Sequence, residues 1–527
     1  MTVRRHRKLM VQAMIVLLVS IAVPATTPQS ERSFGDFWGP RFGAQPGARD
    51  QKPFDVQEVD APDAPPSGAT AAILRWNSIS IDASGLDHTP VAPGENRVFG
   101  EQVGPCRAAR AIAIVHIAIF EALNAITPTF RSYLNLSPKK GPASADAAVA
   151  QAAHDTLVAL WPSQAPAFHQ KLAEDLALIP DGQLKTIGVI FGQRAAAGIL
   201  AMRAFDGSAH PEPRVNIDFI PSNDAGHWRQ DPVSQHPLAL GAHWGEVTPF
   251  VLVSSHQFRV PPPPAMDSAE YTAAFDEVKR LGGDGIDTPT ERTAEQTEIG
   301  IYWAYDGTPS LCAPPRLYNQ IATHIAHQKG TTGLQLARLL ALANTAMADV
   351  GIAIWESKYF YQFWRPITGI RESDPGTGPS GTGDGNADTI GDPVCKPLGA
   401  PASNLMGPNF TPPFPAYPSG HAGFGGALFQ VLRDFYGTDN IPFTFVSDEF
   451  NGVTKDNAGN IRPLKSRSFE TLSQAEEENG QSRIYLGIHW SFDKTEGISQ
   501  GRNVGHHVFK KLFLPLPVTN KTGKAIK

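Results

Sequence analysis

The sequence predicts a mainly α-helical protein interrupted by long Pro/Gly-rich loops. Three observations carry this. Apolar residues recur at helical spacing in segment after segment. Alternation of the strand kind is scarce, apart from short apolar runs such as Phe250–Ser254. Gly and Pro crowd into long irregular stretches, about 207–265 and 367–417, between helical segments. Loops of that length are uncommon in a compact domain unless they build or cover a site.

In chain order, the first element is an export signal. Arg4, Arg5, Arg7 and Lys8 make a basic start, an apolar run follows from Leu9 to about Ala25, and small residues and prolines come next. This layout reads as a signal peptide over 1–25, the apolar run being short for a membrane span. The mature protein is therefore expected to be periplasmic or secreted, with no membrane span after signal removal. The Arg4-Arg5 pair leaves the general and twin-arginine routes both open. Residues 26–70 read as a linker or wrapped arm. An N-terminal helical half is expected over 71–265, with a long apolar segment at Arg107–Ile126 and further patterns near 145–161, 165–177 and 184–206. A C-terminal helical half is expected over 266–515, with patterns near 268–281, 289–305, 315–328, 333–359, 420–436, 468–486 and 493–512, before a tail at 516–527.

Composition limits the partners. Hydrophobic residues are 41% and charged residues 18%, as in ordinary soluble globular proteins. A net charge of −6 and a pI near 6.2 lack the basic footprint of a nucleic-acid binder, so any anion site must be local. Three cysteines are too few for a disulfide scaffold. Cys312 and Cys395 either pair in an oxidising compartment or stay free, and no CxxC or CxxH spacing suggests structural zinc. The segment Asp384–Asp388 lacks the spacing and terminal Glu of a calcium loop and reads as a plain acidic loop.

Three short segments carry chemistry. In Lys358-Tyr-Phe-Tyr-Gln-Phe-Trp-Arg365-Pro366 the two cations are seven apart, two helical turns. One continuous helix, ended by Pro366, would present both on one face. The aromatic residues between them suggest burial, and buried cations need anionic partners. In Pro415-Ala-Tyr-Pro-Ser419-Gly420-His421, Ser419 stands where an N-cap would, before a helix of small residues. A helix N-terminus favours an anion, Gly420 lets backbone come close, and His421 could move protons beside it. A capped helix with a core histidine is the plainer reading. In Ser482-Arg483-Ile-Tyr-Leu-Gly487-Ile-His489-Trp-Ser-Phe-Asp493, Gly487 could end one helix and leave His489 in the turn before the next. Asp493 would orient the imidazole or cap the final helix.

Together and in this order, the segments resemble the Lys-x6-Arg-Pro, Pro-Ser-Gly-His and Ser-Arg-x5-His-x3-Asp signature of a superfamily. It comprises type 2 phosphatidic acid phosphatases, bacterial acid phosphatases and vanadium-dependent haloperoxidases. Beyond the signature, Met347–Lys358, Pro412–Ala422 and Tyr302–Pro309 with Pro314–Ile321 are similar to the chloroperoxidase-like branch of the haloperoxidases. The resemblance is clear over about 290–512 and weak before it, where His116 reads as a packed core residue.

The resemblance implies two four-helix-bundle-type halves with a vanadate pocket in the C-terminal one. It implies that His489 binds vanadium, and that Lys358, Arg365, Ser419, Gly420 and Arg483 hold the vanadate oxygens. His421 is implied as the acid/base, with Lys358 assisting catalysis and phosphate able to occupy the site in place of vanadate. Asp306 is implied as the partner of Arg483, although a turn residue before Gly307 is the plainer reading. Trp355 and Phe414 are implied as an apolar halide pocket, and Phe414 leans the choice toward chloride as well as bromide. The implied activity is oxidation of halide by hydrogen peroxide to hypohalous acid, with an organic acceptor left open. Members often form homodimers, though no interface is legible here. The alternative is an exported acid phosphatase with His489 as nucleophile and His421 as general acid. An oxyanion-binding protein without turnover would not need His421.

Overall fold

The computed structural model describes residues 33–45, 69–138 and 141–517. The signal peptide expected over 1–25, most of the 26–70 stretch and the end of the tail lie outside the described residues. Fourteen α-helices are described: α1 (Phe34–Trp38), α2 (Ala69–Asp87), α3 (Pro105–Ile126), α4 (Ala145–Leu160), α5 (Ala165–Ala177), α6 (Gln183–Arg203), α7 (Ala269–Gly282), α8 (Ala294–Tyr302), α9 (Pro314–Gln328), α10 (Gly333–Tyr361), α11 (Pro366–Glu372), α12 (Gly420–Tyr436), α13 (Leu472–Tyr485) and α14 (Ser491–Lys511).

Two of these are apolar on nearly every face, which is the pattern of a helix surrounded by others. α3 and α10 are long and apolar enough to cross a membrane, yet 89% and 100% of their apolar windows are buried inside the protein. They pack on each other, α3 with α4 and α6 on its far side, α10 with α12 and α14 on its own. One continuous apolar core therefore runs through both helical groups.

α12 and α14 approach closely because both carry glycines at their crossing. A Cβ on Gly501 would lie 2.2 Å from the Gly423 carbonyl oxygen, and one on Gly497 would lie 2.6 Å from that of Ser419. This contact brings the first turn of α12, with Ser419 and His421, beside the first turn of α14, just after His489.

Two expectations are corrected, and the choice the sequence left open for Cys312 and Cys395 is decided. The run Phe250–Ser254 is turn and bend rather than strand. The N–H groups of Phe250, Val251 and Leu252 are taken instead by the buried Asp349 carboxylate, at 2.6, 2.8 and 3.0 Å. Cys312 and Cys395 do not pair; all three cysteines are free and buried. Cys312 contacts Ser84 Oγ at 2.9 Å, whereas Cys395 sits in a separate apolar cluster with Trp364 and Trp490. An antiparallel hairpin of β3 (Phe443–Asn451) and β4 (Leu464–Phe469) stands where no strand was legible. A short pair, β1 (Gly43–Ala44) and β2 (Leu405–Met406), ties the described part of the N-terminal arm to the 367–417 loop.

Candidate active site

Lys358 and Arg365 are not on one helix, contrary to the sequence expectation. α10 ends at Tyr361, and Gln362 turns left-handed with φ 50°, its N–H on the Lys358 carbonyl at 2.7 Å. Arg365 is extended (φ −80°, ψ 155°) and is the N-cap of α11. Pro366 explains this: the residue before proline avoids helical backbone, and proline itself suits a helix's first position. The two cations still converge, because both lean on the same irregular segment. Lys358 Nζ donates to the Pro415 and Ala416 carbonyls at 2.7 and 2.9 Å. Arg365 donates through Nε to the Phe414 carbonyl at 2.9 Å and through Nη1 to that of Ile488 at 2.8 Å.

The other motifs fall as expected. Ser419 is the N-cap of α12, its Oγ facing the Ala422 N–H at 3.5 Å, and its own N–H donates to the Asp493 carbonyl at 2.9 Å. Gly420 and His421 form the first turn. The His421 carbonyl is held by Tyr318 Oη at 2.9 Å and Asn479 Nδ2 at 3.0 Å, and its Nε2 lies against the Ala304 carbonyl. Arg483 closes α13. Gly487 then turns with φ +71°, where a Cβ would meet the Gly282 carbonyl at 2.5 Å, so His489 sits in the turn before α14. Asp493 orients the imidazole as foreseen, but it stands at the third position of α14 and not at the N-cap, which is Trp490. One oxygen accepts from His489 Nδ1 at 2.8 Å and from the Trp490 N–H at 3.0 Å. That bond fixes the proton on Nδ1 and leaves the His489 lone pair on Nε2, which accepts from Arg365 Nη1 at 2.9 Å.

The electrostatics are those of an anion site. Lys358, Arg365 and Arg483 are essentially fully buried. Arg483 Nη2 contacts both oxygens of Asp306, at 2.7 and 2.9 Å, so Asp306 is a partner as well as the residue before Gly307. Arg365 Nη2, Arg483 Nε and Arg483 Nη1 have no hydrogen-bond partner among the described residues. Burial, reinforced by Arg365, holds the Lys358 ammonium well below the usual lysine range. Burial pulls Arg365 down to about 9, against the opposing effect of Asp493. Burial and the neighbouring arginines hold His489 and His421 well below the usual imidazole range, so both are neutral near pH 7. Burial pushes Asp493 up to about 7, with Lys358 opposing. Several buried donors without acceptors, next to a helix N-terminus, are costly unless an anion accepts from them. A tetrahedral oxyanion fits that need, with Nε2 of His489 as a neutral nitrogen ligand.

The cavity at this site is lined by Trp355, Phe414, Gly420, His421, Arg483 and His489 among others, while Lys358, Arg365 and Ser419 stand behind its wall. Trp355 and Phe414 pack with ring centroids 4.9 Å apart. Lys358 Nζ lies 5.1 Å and Arg365 Cζ 5.0 Å from the Phe414 centroid. The 207–265 stretch supplies part of the wall: Trp355 Nε1 donates to the Leu240 carbonyl at 3.0 Å, and Leu240 and His236 face the cavity. His116, in contrast, is a core residue of α3, with its protonation pushed down to about 3 by burial.

Comparison with known proteins agrees with this arrangement. Residues 338–514 match the family described as the VCPO second helical-bundle domain. Vanadium chloroperoxidase from Curvularia inaequalis is 31% identical over 518 aligned positions, covering 84% of this chain and 81% of that protein. The chain belongs to the vanadium chloroperoxidase family. A solved structure described as the first bacterial vanadium-dependent iodoperoxidase aligns with a TM-score of 0.63 at 25% identity, covering 85% of this chain and 98% of that one. A bacterial vanadium-dependent chloroperoxidase shares the fold at 15% identity, with a TM-score of 0.57 over 78% of this chain and 94% of that one. The family match spans every residue from Lys358 to Asp493 named above, but not Asp306.

Sequence reasoning missed the groups that aim these side chains. Most are backbone carbonyls, of Ala304, Phe414, Pro415, Ala416 and Ile488, which carry no sequence signature. The β3–β4 hairpin also escaped notice. It clamps the segment that delivers Ala304 and Asp306: Ser447 Oγ donates to the Tyr302 carbonyl at 2.7 Å, and Tyr302 Oη to that of Phe445 at 2.8 Å.

Proposed function

We propose that this chain is a vanadate-dependent haloperoxidase that oxidises halide with hydrogen peroxide to hypohalous acid. The observation that carries this reading is the trio of buried cations around His489, with three guanidinium nitrogens lacking acceptors among the described residues. Lys358, Arg365 and Arg483, with Ser419 and the Gly420 backbone, would hold vanadate oxygens, and His489 Nε2 would be the ligand to vanadium. Bound vanadate would supply a Lewis acid that takes up peroxide and makes one of its oxygens electrophilic toward halide, without a change of metal oxidation state.

The chain's own residues do the rest. Asp493 holds His489 in one tautomer and orientation, so its Nε2 lone pair faces the pocket, where the hydrogen bond from Arg365 Nη1 would give way to the ligand. His421 is neutral and stands beside Arg483, placed to take a proton from incoming peroxide and return it to a leaving oxygen. Arg483 is kept in place by Asp306, which also offsets one of the three positive charges. The third N–H of Lys358 and its charge remain available for a reacting oxygen, since only two of its donors are used by carbonyls. Trp355 and Phe414 make an apolar wall that strips water from a halide, and this supports chloride as well as bromide as substrate. The basic and apolar N-terminus supports export to the periplasm or the medium.

Phosphomonoester hydrolysis would use the same cations, so the test compares the two activities. Vanadate-loaded protein should oxidise bromide with peroxide far faster than the vanadate-free protein hydrolyses a phosphomonoester. Brisk ester hydrolysis without vanadate-dependent halide oxidation would replace this reading with the phosphatase.

A further inference from the structure

The Ala304 carbonyl and Asp306 belong to one short segment, and they meet His421 and Arg483 respectively. Tyr305 lies between them with φ +45°, a left-handed backbone that a bulky side chain rarely adopts. Such a conformation is strained and persists only where its surroundings impose it. Three contacts impose it here. The Tyr305 N–H donates to Glu449 Oε1 at 3.3 Å, its Oη donates to Gln320 Oε1 at 3.2 Å, and Oη accepts from the Asp448 N–H at 2.6 Å. Tyr305 and Glu449 are both 0% exposed. The other Glu449 oxygen accepts from Ser403 Oγ at 2.7 Å and from Arg462 Nη1. All three neighbours of the carboxylate donate, so both of its oxygens are engaged as acceptors.

The contact with Glu449 bears on catalysis because a peptide is one rigid plane. The N–H that Glu449 accepts and the carbonyl that His421 Nε2 meets belong to the same peptide, between Ala304 and Tyr305. A carbonyl can only accept, so His421 Nε2 carries the proton and Nδ1 is left with the lone pair. Among the described residues Nδ1 has no hydrogen-bond partner, and His421 lines the cavity. Turning the plane over would move φ of Tyr305 into the ordinary extended region and relieve the strain. It would also swing the Ala304 carbonyl away from His421 and toward the Glu449 carboxylate, acceptor against acceptor.

We propose that Glu449 is a positioning residue for His421: it locks the Ala304–Tyr305 peptide, and through it keeps the imidazole proton on Nε2 and the lone pair on Nδ1 for the reacting proton. The inference rests on the acid/base role of His421 in the preceding subsection and deepens it. Arg462 completes the device as the counter-charge of a fully buried carboxylate. Burial raises the Glu449 carboxyl, and Arg462 opposes that rise.

Two double variants that differ only in the acceptor offered to Tyr305 test this. Glu449→Gln/Arg462→Met keeps an acceptor, since the amide oxygen can take the Tyr305 N–H while its NH2 group turns to Ser403 Oγ. Glu449→Met/Arg462→Met removes it. Neither strands a buried charge. The His421 tautomer is read by NMR of the histidine nitrogens in the labelled, vanadate-free full chain near neutral pH, with the His421 signals assigned by their loss in His421→Ala. The proton should sit on Nε2 in the unsubstituted protein and in the variant that keeps the acceptor, and should shift toward Nδ1 in the variant that lacks it. After vanadate loading, kcat for bromide oxidation should be at least about tenfold lower in the variant without the acceptor than in the one with it, short of the loss of the base itself. A proton on Nδ1 in the unsubstituted protein overturns the lock. So does the same tautomer, or the same kcat, in both double variants. Absence of vanadate-dependent halide oxidation in the unsubstituted protein would instead overturn the reading of the preceding subsection, while the tautomer comparison alone still decides the lock.

Discussion

Replacing Arg483 by alanine strands a charge, and the size of the effect follows from the geometry. The Arg483 side chain is 0% exposed and that of Asp306 4%, and Nη2 sits 2.7 Å from Asp306 Oδ1. His421 Nε2, at 3.8 Å from that carboxylate, is held neutral, and Arg365 acts on it only from beyond ion-pairing distance. Removing one member of such a pair costs about 3–5 kcal/mol, because the other charge stays buried without a partner. That is a large part of the total stability of about 5–15 kcal/mol usual for a domain. Burial already raises the Asp306 carboxyl, and loss of Arg483 raises it further. The cost therefore shrinks as pH falls and Asp306 takes up a proton. Adding Asp306→Asn removes the stranded charge, so the double variant should be more stable than Arg483→Ala alone. Vanadate binding should fail in both, because Arg483 Nε and Nη1 are gone. Urea unfolding of the vanadate-free variants at pH 7, with equilibrium vanadate binding, completes the cycle. Coupling between the two sites below about 0.5 kcal/mol would refute the reasoning.

Other expectations concern stability and halide choice. Burial pushes His116 and His236 down to about 3 from an ordinary 6.5. Depressed imidazoles contribute stability that is present above pH 6.5 and lost as pH falls toward 3; at pH 5 each should have lost about 2 kcal/mol. Comparing urea midpoints at pH 7.5 and 5 between the vanadate-free protein and its His116→Gln and His236→Gln variants separates this from Asp493 and Asp349, whose raised carboxyls act in the opposite sense; a pH dependence that the substitutions leave unchanged would contradict it. Gly501→Ala drives a methyl into the Gly423 carbonyl across the α12–α14 crossing, and should lower stability by about 1–3 kcal/mol at unchanged denaturant slope. Chloride as well as bromide should be oxidised by the vanadate-loaded enzyme. Bromide turnover with none for chloride, from acidic to neutral pH, would remove Phe414 and Trp355 as sufficient determinants.

The sequence made the helices legible where apolar spacing was strong, as in α3, α9 and α12. It also placed His489 in a turn from Gly487 alone. It misread the Lys358–Arg365 segment because seven-residue spacing looked like two helical turns. The constraint that Pro366 puts on Arg365 was the signal that could have prevented this. The β3–β4 hairpin was hidden because β4 is mostly exposed and carries Lys465 and Arg467, so no apolar alternation marks it. The 26–70 stretch read only as a linker or wrapped arm, and nothing in it marked Phe37 and Trp38 as residues the structure buries. Hydrogen-bond acceptors on the backbone, which aim Lys358, Arg365 and His421, depend on tertiary placement and leave no trace in residue type.

The most direct test of the central claim is bromide-dependent halogenation of a dye by the purified vanadate-free protein with hydrogen peroxide. It is run with and without added orthovanadate, beside His489→Ala. The account predicts activity only when vanadate is present, and none in the variant. Absence of activity at saturating vanadate in the unsubstituted protein, or equal activity in His489→Ala, would contradict it.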